Sequence, residues 1–208
     1  MTRPDPAAPA GITLRAVLLA GGHGRRAGGP KALQRIDGDL LWRVQARALA
    51  AVGCAHIVAV LHPRAWAESD PPAPADAACA AVRADPDAMP FASLLAALGA
   101  LRSGGPLFVL PVDCPCPSRA VFTELWAAGT AADARGLGWD AVRPVHAGQG
   151  GHPVLLAWRF AEGLSARDPV QTRLDRELAQ ARAAGRVIDV AVRDAGVLAN
   201  WNLNGTSR

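Results

Sequence analysis

The chain has 208 residues, half of them hydrophobic and 19% charged, with four cysteines, no tyrosine and a net charge of +4. This is the composition of one globular domain of α/β size with enough apolar mass for a sizeable core, and it argues against a disordered chain or a disulfide scaffold. No run of 18 apolar residues offers a membrane span, and the positive charge is scattered over arginines instead of forming an aromatic-interleaved stripe, which disfavours nucleic acid and membrane as partners.

Residues 1–12 are rich in proline and alanine and contain no apolar h-region, so they read as a flexible tail and not as a signal peptide. The expected setting is cytoplasmic, with the folded domain running from 13 to 208. The first element is a buried strand, Ala16 to Ala20, and behind it Gly21 to Lys31 holds five glycines, two arginines and one lysine in eleven residues. Glycines let the backbone approach an anion and point N–H groups at it, while Arg25 and Lys31 bring the fixed charge that a triphosphate needs. A P-loop is excluded, because Pro30 separates Gly29 from Lys31 and Ala32 stands where the metal-binding hydroxyl belongs. The dinucleotide pattern Gly22-x-Gly24-x-x-Ala27 is met in letters, but Gly28-Gly29-Pro30 would break the helix it must open.

Leu40, Leu41, Val44, Ala48, Leu49 and Val52 recur at helical spacing, with Asp39 as N-cap and Gly53 as stop. His56 to Leu61 reads as a strand ended by Pro63, Asp70 to Ala78 as a surface loop, and Cys79 to Arg83 as a brief strand. Phe91, Leu94, Leu95, Leu98 and Leu101 mark a second helix, and Pro106 to Val112 is the most strand-like run of all. A helix from Ser118 to Ala128 is expected to stop at Gly129. Strands follow at Trp139 to Val145 and His152 to Trp158, then a long helix capped by Asp168 with Gly185 past its end, then a strand from Arg186 to Val192. The alternation predicts an α/β fold, a doubly wound and mostly parallel sheet with helices on both faces, whose ligands bind at the carboxyl ends of the strands. Asp113 falls at such an end. A carboxylate there either caps the next loop or holds a divalent cation, and the glycine loop upstream favours Mg²⁺. Cys114-Pro115-Cys116 has no second pair to make a metal site with, so reduced, partly buried thiols are expected. His23, His56, His62 and His146 show no ligand spacing and receive no role.

The run Leu19-Ala20-Gly21-Gly22-His23-Gly24-Arg25-Arg26-Ala27-Gly28-Gly29-Pro30-Lys31 resembles the opening motif of the MobA-like nucleotidyltransferases, Leu-Ala-Gly-Gly-x-x-x-Arg-Met-Gly-x-x-Lys, with Ala27 in place of methionine. The resemblance extends to about Asn204. It implies a Rossmann-like nucleotidyltransferase fold and a nucleotide site at Leu19, Ala20, Gly21, Gly22, Gly24, Arg25, Gly28 and Lys31. It assigns Arg25 and Lys31 to catalysis, and Asp113 of Asp113-Cys114-Pro115 to magnesium. Asn202-Leu203-Asn204 is similar to the family's late metal segment, with Asn204 as the second metal contact, although Gly205 precedes Thr206 and the proline is missing. Met89 to Leu98 resembles the loop and helix near the base, with Ser93 as a polar contact, and Gly150 to Leu155 resembles the segment that faces the acceptor, through Gly151 and His152. The implied reaction moves an NMP from CTP or GTP onto an acceptor phosphate, that of molybdopterin, and the implied partners extend to a molybdoenzyme or its chaperone. Two other readings stand beside it: a nucleotide-binding regulatory domain without turnover, and a sugar-phosphate or lipid-precursor nucleotidyltransferase.

Overall fold

A computed structural model of the chain describes residues 13–24, 28–69, 79–85, 87–88, 90–101 and 104–201. The run that opens the fold is β1, Leu14–Ala20, in which Ala16, Val17 and Leu18 have no solvent exposure. Ala16, Leu18 and Ala20 face one apolar cluster and Val17 and Leu19 the other, so both sides of the strand are covered and no polar alternation remains. Behind it come a two-residue hairpin of β2, Arg35–Ile36, and β3, Asp39–Leu40, then α1, Leu41–Ala51, β4, Cys54–Leu61, α2, Pro63–Ser69, and β5, Cys79–Arg83. The chain continues through α3, Pro90–Leu101, β6, Leu107–Pro111, α4, Arg119–Ala134, β7, Ala141–His146, β8, Gln149–Gly150, and β9, Val154–Leu156. It goes on through α5, Trp158–Leu164, α6, Leu174–Ala183, and β10, Val187–Ala191, to a last 3-10 turn, Ala195–Leu198.

Seven strands lie in the order β10-β7-β9-β6-β1-β4-β5, and β8 adds to β7. Pairing is parallel except where β9 meets β6 and β7 and where β8 meets β7. Helices α1, α2 and α4 cover one face and α3, α5 and α6 the other. The doubly wound α/β expectation is met. No helix among the described residues is long and apolar enough to cross a membrane. All four cysteines are free thiols, and burial pushes that of Cys54 up to about 12.

Several local expectations are corrected. Gly129 does not stop α4, which runs on to Ala134; it is glycine because a Cβ there would come within 2.8 Å of the Trp139 ring. Asp39 lies in β3, where its carboxylate accepts the Leu40 N–H, and Leu40 holds the N-cap position of α1. Trp158 opens α5 instead of ending a strand. Asp168 closes a turn by accepting the Val170 N–H at 2.9 Å, and the helix expected there begins only at Leu174. The tail expected at residues 1–12 lies outside the described residues.

Candidate functional site

The carboxyl end of β1 delivers the glycine run to the edge of the sheet. A Cβ on Gly21 would lie 2.7 Å from the Ala84 Cβ and 2.8 Å from the Ser93 Oγ, so only glycine lets the chain leave the strand here. The same contact brings Ser93, from the start of α3, against the loop. Gly24 has φ +59°, accepts the Gly29 N–H at 3.2 Å, and has no room for a side chain beneath the Gly29 carbonyl. Gly24 and Gly29 are thus joined backbone to backbone, and Gly28 is also left-handed at φ +74°. Arg25 and Arg26 lie outside the described residues. Past Pro30, a single 3-10 turn, Lys31–Leu33, buries Ala32 and points Lys31 back across the strand ends.

There Lys31 meets the other charge centre of the sequence. Its Nζ lies 2.7 Å from Oδ2 of Asp113, two residues beyond β6, with both side chains about a quarter exposed. The end of the described chain returns to the same point. The Trp201 N–H donates to the Asp113 carbonyl at 2.6 Å, and the Asn200 amide donates to Oδ2 at 3.4 Å. Asn200 was not singled out by the sequence, and Asn202 and Asn204 lie outside the described residues.

Asp113 sits on a loop that one buried side chain holds in place. Gln45, on α1 and 1% exposed, donates its amide to the carbonyls of Val112, at 3.1 Å, and Cys114, while its oxygen accepts the Cys116 N–H at 3.1 Å. A readable signal existed: Gln45 stands between Leu41 and Leu49 on the apolar stripe of α1, where a polar residue needs a reason. Gln45→Leu is expected to strand these three backbone groups at a cost of roughly 3 kcal/mol. Calorimetry should then show Tm lower by about 6–12 °C, and turnover should fall with the displaced carboxylate.

The reversed strand β9 places its start, not its end, at this edge. Gly151 donates its N–H to the Pro144 carbonyl and His152 donates its own to the Val197 carbonyl, both at 2.9 Å, and a Cβ on Gly151 would overlap the Val197 backbone. His152 Nδ1 is buried without a hydrogen bond. Burial lowers the pKa of this ring below its ordinary 6.5, partly offset by the Asp113 charge, and burial with His23 and Arg64 lowers that of His62. Both imidazoles are therefore neutral at pH 7. As pH falls through 6.5, the unfolded chain takes up protons that the folded rings refuse, so stability present above that pH declines until the lowered values are reached. Melting followed from pH 7 to 5 should show this decline, and His152→Gln should flatten it.

A family model of the MobA-like NTP transferase domain matches residues 16–187. The chain belongs to that family. Its MobA-like domain places the glycine loop, Lys31, Ser93, Asp113, Gly151 and His152 along one edge of the sheet, as the strand directions require. The fold is similar to that of Rv0371c from Mycobacterium tuberculosis H37Rv, with TM-score 0.65, 20% identity, and coverage of 87% of this chain and 89% of that one. A second structure of Rv0371c is a complex with manganese. Molybdopterin-guanine dinucleotide biosynthesis protein A from Archaeoglobus fulgidus gives 0.58 at 22% identity, covering 86% and 84%. The 2-C-methyl-D-erythritol 4-phosphate cytidylyltransferase of Thermus thermophilus gives 0.61 at 20%, covering 90% and 92%. At such identities the likeness is one of fold. Among curated proteins none matches the chain.

Proposed function

We propose that the chain is a magnesium-dependent nucleotidyltransferase that moves an NMP from CTP or GTP onto an acceptor phosphate, that of molybdopterin, and releases pyrophosphate. The observation that carries this reading is the 2.7 Å approach of Lys31 to Asp113, which makes the cationic loop and the carboxylate one site. The residues fit a hard divalent cation. An ammonium already rests on the Asp113 oxygen, so this carboxylate is placed to take a cation. That suits Mg²⁺, which takes one or two carboxylates and completes its shell with phosphate oxygens and water. Asp113 would hold it, with Asn204 as the proposed second contact, and the ion when bound would offset charge on the phosphates.

The protein's own part is placement. Amides of the glycine loop orient the polyphosphate, Lys31 neutralises charge on the leaving pyrophosphate, and Ser93 stands beside the loop as the contact toward the base. An acceptor phosphate oxygen attacks the α-phosphorus, the bond to the bridging oxygen breaks, and pyrophosphate departs with that electron pair. The motif's own spacing puts its arginine at Arg26, one residue beyond Arg25, so alanine variants at both positions belong in the test.

Gly151 and His152 line a cavity of about 280 Å³ together with Arg143, Arg182 and Asp175. Arg143 and Arg182 share one carboxylate, Asp189, and Asp175 is paired with Arg173, so the cavity carries surplus positive charge. This supports an anionic acceptor. The name of the Archaeoglobus protein supports molybdopterin, and that of the Thermus protein supports an alcohol phosphate as the second reading. The test is turnover of each NTP with Mg²⁺ and either acceptor, read by pyrophosphate release and product mass. NTP binding without pyrophosphate release with either acceptor would favour a regulatory domain.

A further inference from the structure

Two histidines that spacing left without a role meet beside the glycine loop. His62, directly after β4 and 7% exposed, has its Nε2 3.4 Å from Nδ1 of His23, with the rings edge to face and their centroids 5.1 Å apart. The tautomer follows from the other side of the ring. His62 Nδ1 accepts the Arg64 N–H at 3.1 Å, so the proton is on Nε2 and points at His23. The backbone of the same corner adds a further tie, from the His62 N–H to the Ala20 carbonyl at 3.3 Å. Arg64, at the start of α2, brings its guanidinium to 3.9 Å from where a Cβ of Gly29 would stand. The corner His62-Pro63-Arg64 therefore bonds to the chain before and within the glycine run and lies close to its end.

We propose that His62 is a positioning residue of the nucleotide site, which acts through His23 to hold the glycine loop in the shape that presents its amides to a polyphosphate. The inference rests on the nucleotide reading above. Its physical basis is that a run with glycine at 21, 22, 24, 28 and 29 loses much conformational freedom on ordering. A side chain anchored outside the run supplies that order before the ligand arrives. His23 is the first non-glycine residue of the run and lies where such an anchor is needed. The two contacts depend on protonation: a proton on His23 Nδ1 would set N–H against N–H between the rings, and one on His62 Nδ1 would set N–H against N–H toward Arg64. Among the described residues, the titratable and charged groups facing His62 are His23 from the loop and Arg64 from α2, whose charge is shared with Glu68 at 3.3 Å.

The test uses the full chain and inorganic pyrophosphate with Mg²⁺ as the probe. Nitrogen NMR of the free protein should show His62 as the neutral Nε2–H tautomer, with its titration moved toward the ordinary histidine range in His23→Ala. His62→Asn keeps an acceptor for the Arg64 N–H but no longer reaches His23, and is expected to raise the dissociation constant roughly 5- to 20-fold. His62→Gln, whose longer amide again offers an N–H, should recover much of it. His23→Ala should raise the dissociation constant at least as much as His62→Asn, and adding His62→Asn to His23→Ala should make it no worse, since the contact between the two rings is lost once. In turnover the change should appear in the KM for NTP, with kcat within about twofold. An unchanged dissociation constant in His62→Asn, or effects that multiply in the double variant, would overturn the inference even where nucleotide transfer stands. Wild-type protein that binds pyrophosphate but transfers no nucleotide would overturn the transferase reading and leave the binding comparison decisive for His62.

Discussion

Lys31→Ala is expected to cut turnover by roughly 30- to 1000-fold, the effect of losing about 2–4 kcal/mol of charge stabilisation in the transition state. The side chain is about a quarter exposed and pairs with one carboxylate, so the fold loses only about 1 kcal/mol or less and Tm moves by a few degrees at most. A second effect runs the other way. The ammonium on the Asp113 oxygen would compete there with the proposed cation, so the alanine variant should bind Mg²⁺ more tightly without nucleotide while it turns over more slowly. Steady-state kinetics and calorimetric metal titration measure the two separately. Turnover equal to wild type would remove Lys31 from the mechanism.

Asp113→Asn separates metal ligand from loop cap. The amide keeps the size and one acceptor oxygen, and the Trp201 N–H still finds the backbone carbonyl of residue 113, so the tail contact survives. What is lost is the charge. We expect turnover to fall roughly 100- to 1000-fold and the Mg²⁺ needed for half-maximal rate to rise. NTP binding without metal should hold or improve, because Lys31 is then free to meet the phosphates. A variant with an unchanged Mg²⁺ requirement would make Asp113 a cap, the other role open to a carboxylate at a strand end.

The parts of this design that lie in the chain's periodicities were legible. Continuous apolar runs marked β1, β4 and β6 because a strand covered on both faces has no polar alternation, and the glycines after β1 marked the turn that the Gly21 and Gly24 contacts demand. Contacts between distant segments were not legible. Gly129 looks like a stop signal until Trp139 is seen packed on it, and α5 is too short for its spacing to differ from that of a strand. The site followed the same division. Lys31 and Asp113 could be singled out one by one from the residues, and Gly151 and His152 from the family resemblance, whereas the Lys31–Asp113 pair and the His23–His62 contact arise from residues 82 and 39 positions apart. Gln45 was the exception, since a lone polar residue on an apolar stripe is visible without any partner.

The reversed direction of β9 has a consequence for how such domains diversify. Residues up to Asp113 build β1, β4, β5 and β6 and carry the glycine loop, while β7 to β10 carry Gly151, His152 and the arginine-lined cavity. Within the sheet the two groups of strands join along one short seam, where Leu107, Phe108 and Val109 pair with Leu156, Leu155 and Val154. Because β9 runs against both of its neighbours, the segment proposed to meet the acceptor enters this edge from a hairpin and leaves at the opposite end. Length and sequence can then change in that hairpin without moving the loop proposed to hold the nucleotide. A chimera that exchanges the part of the chain after the β6 loop with that of a relative should inherit the relative's acceptor and keep its own nucleotide, so the seam is a natural crossover point for recombination.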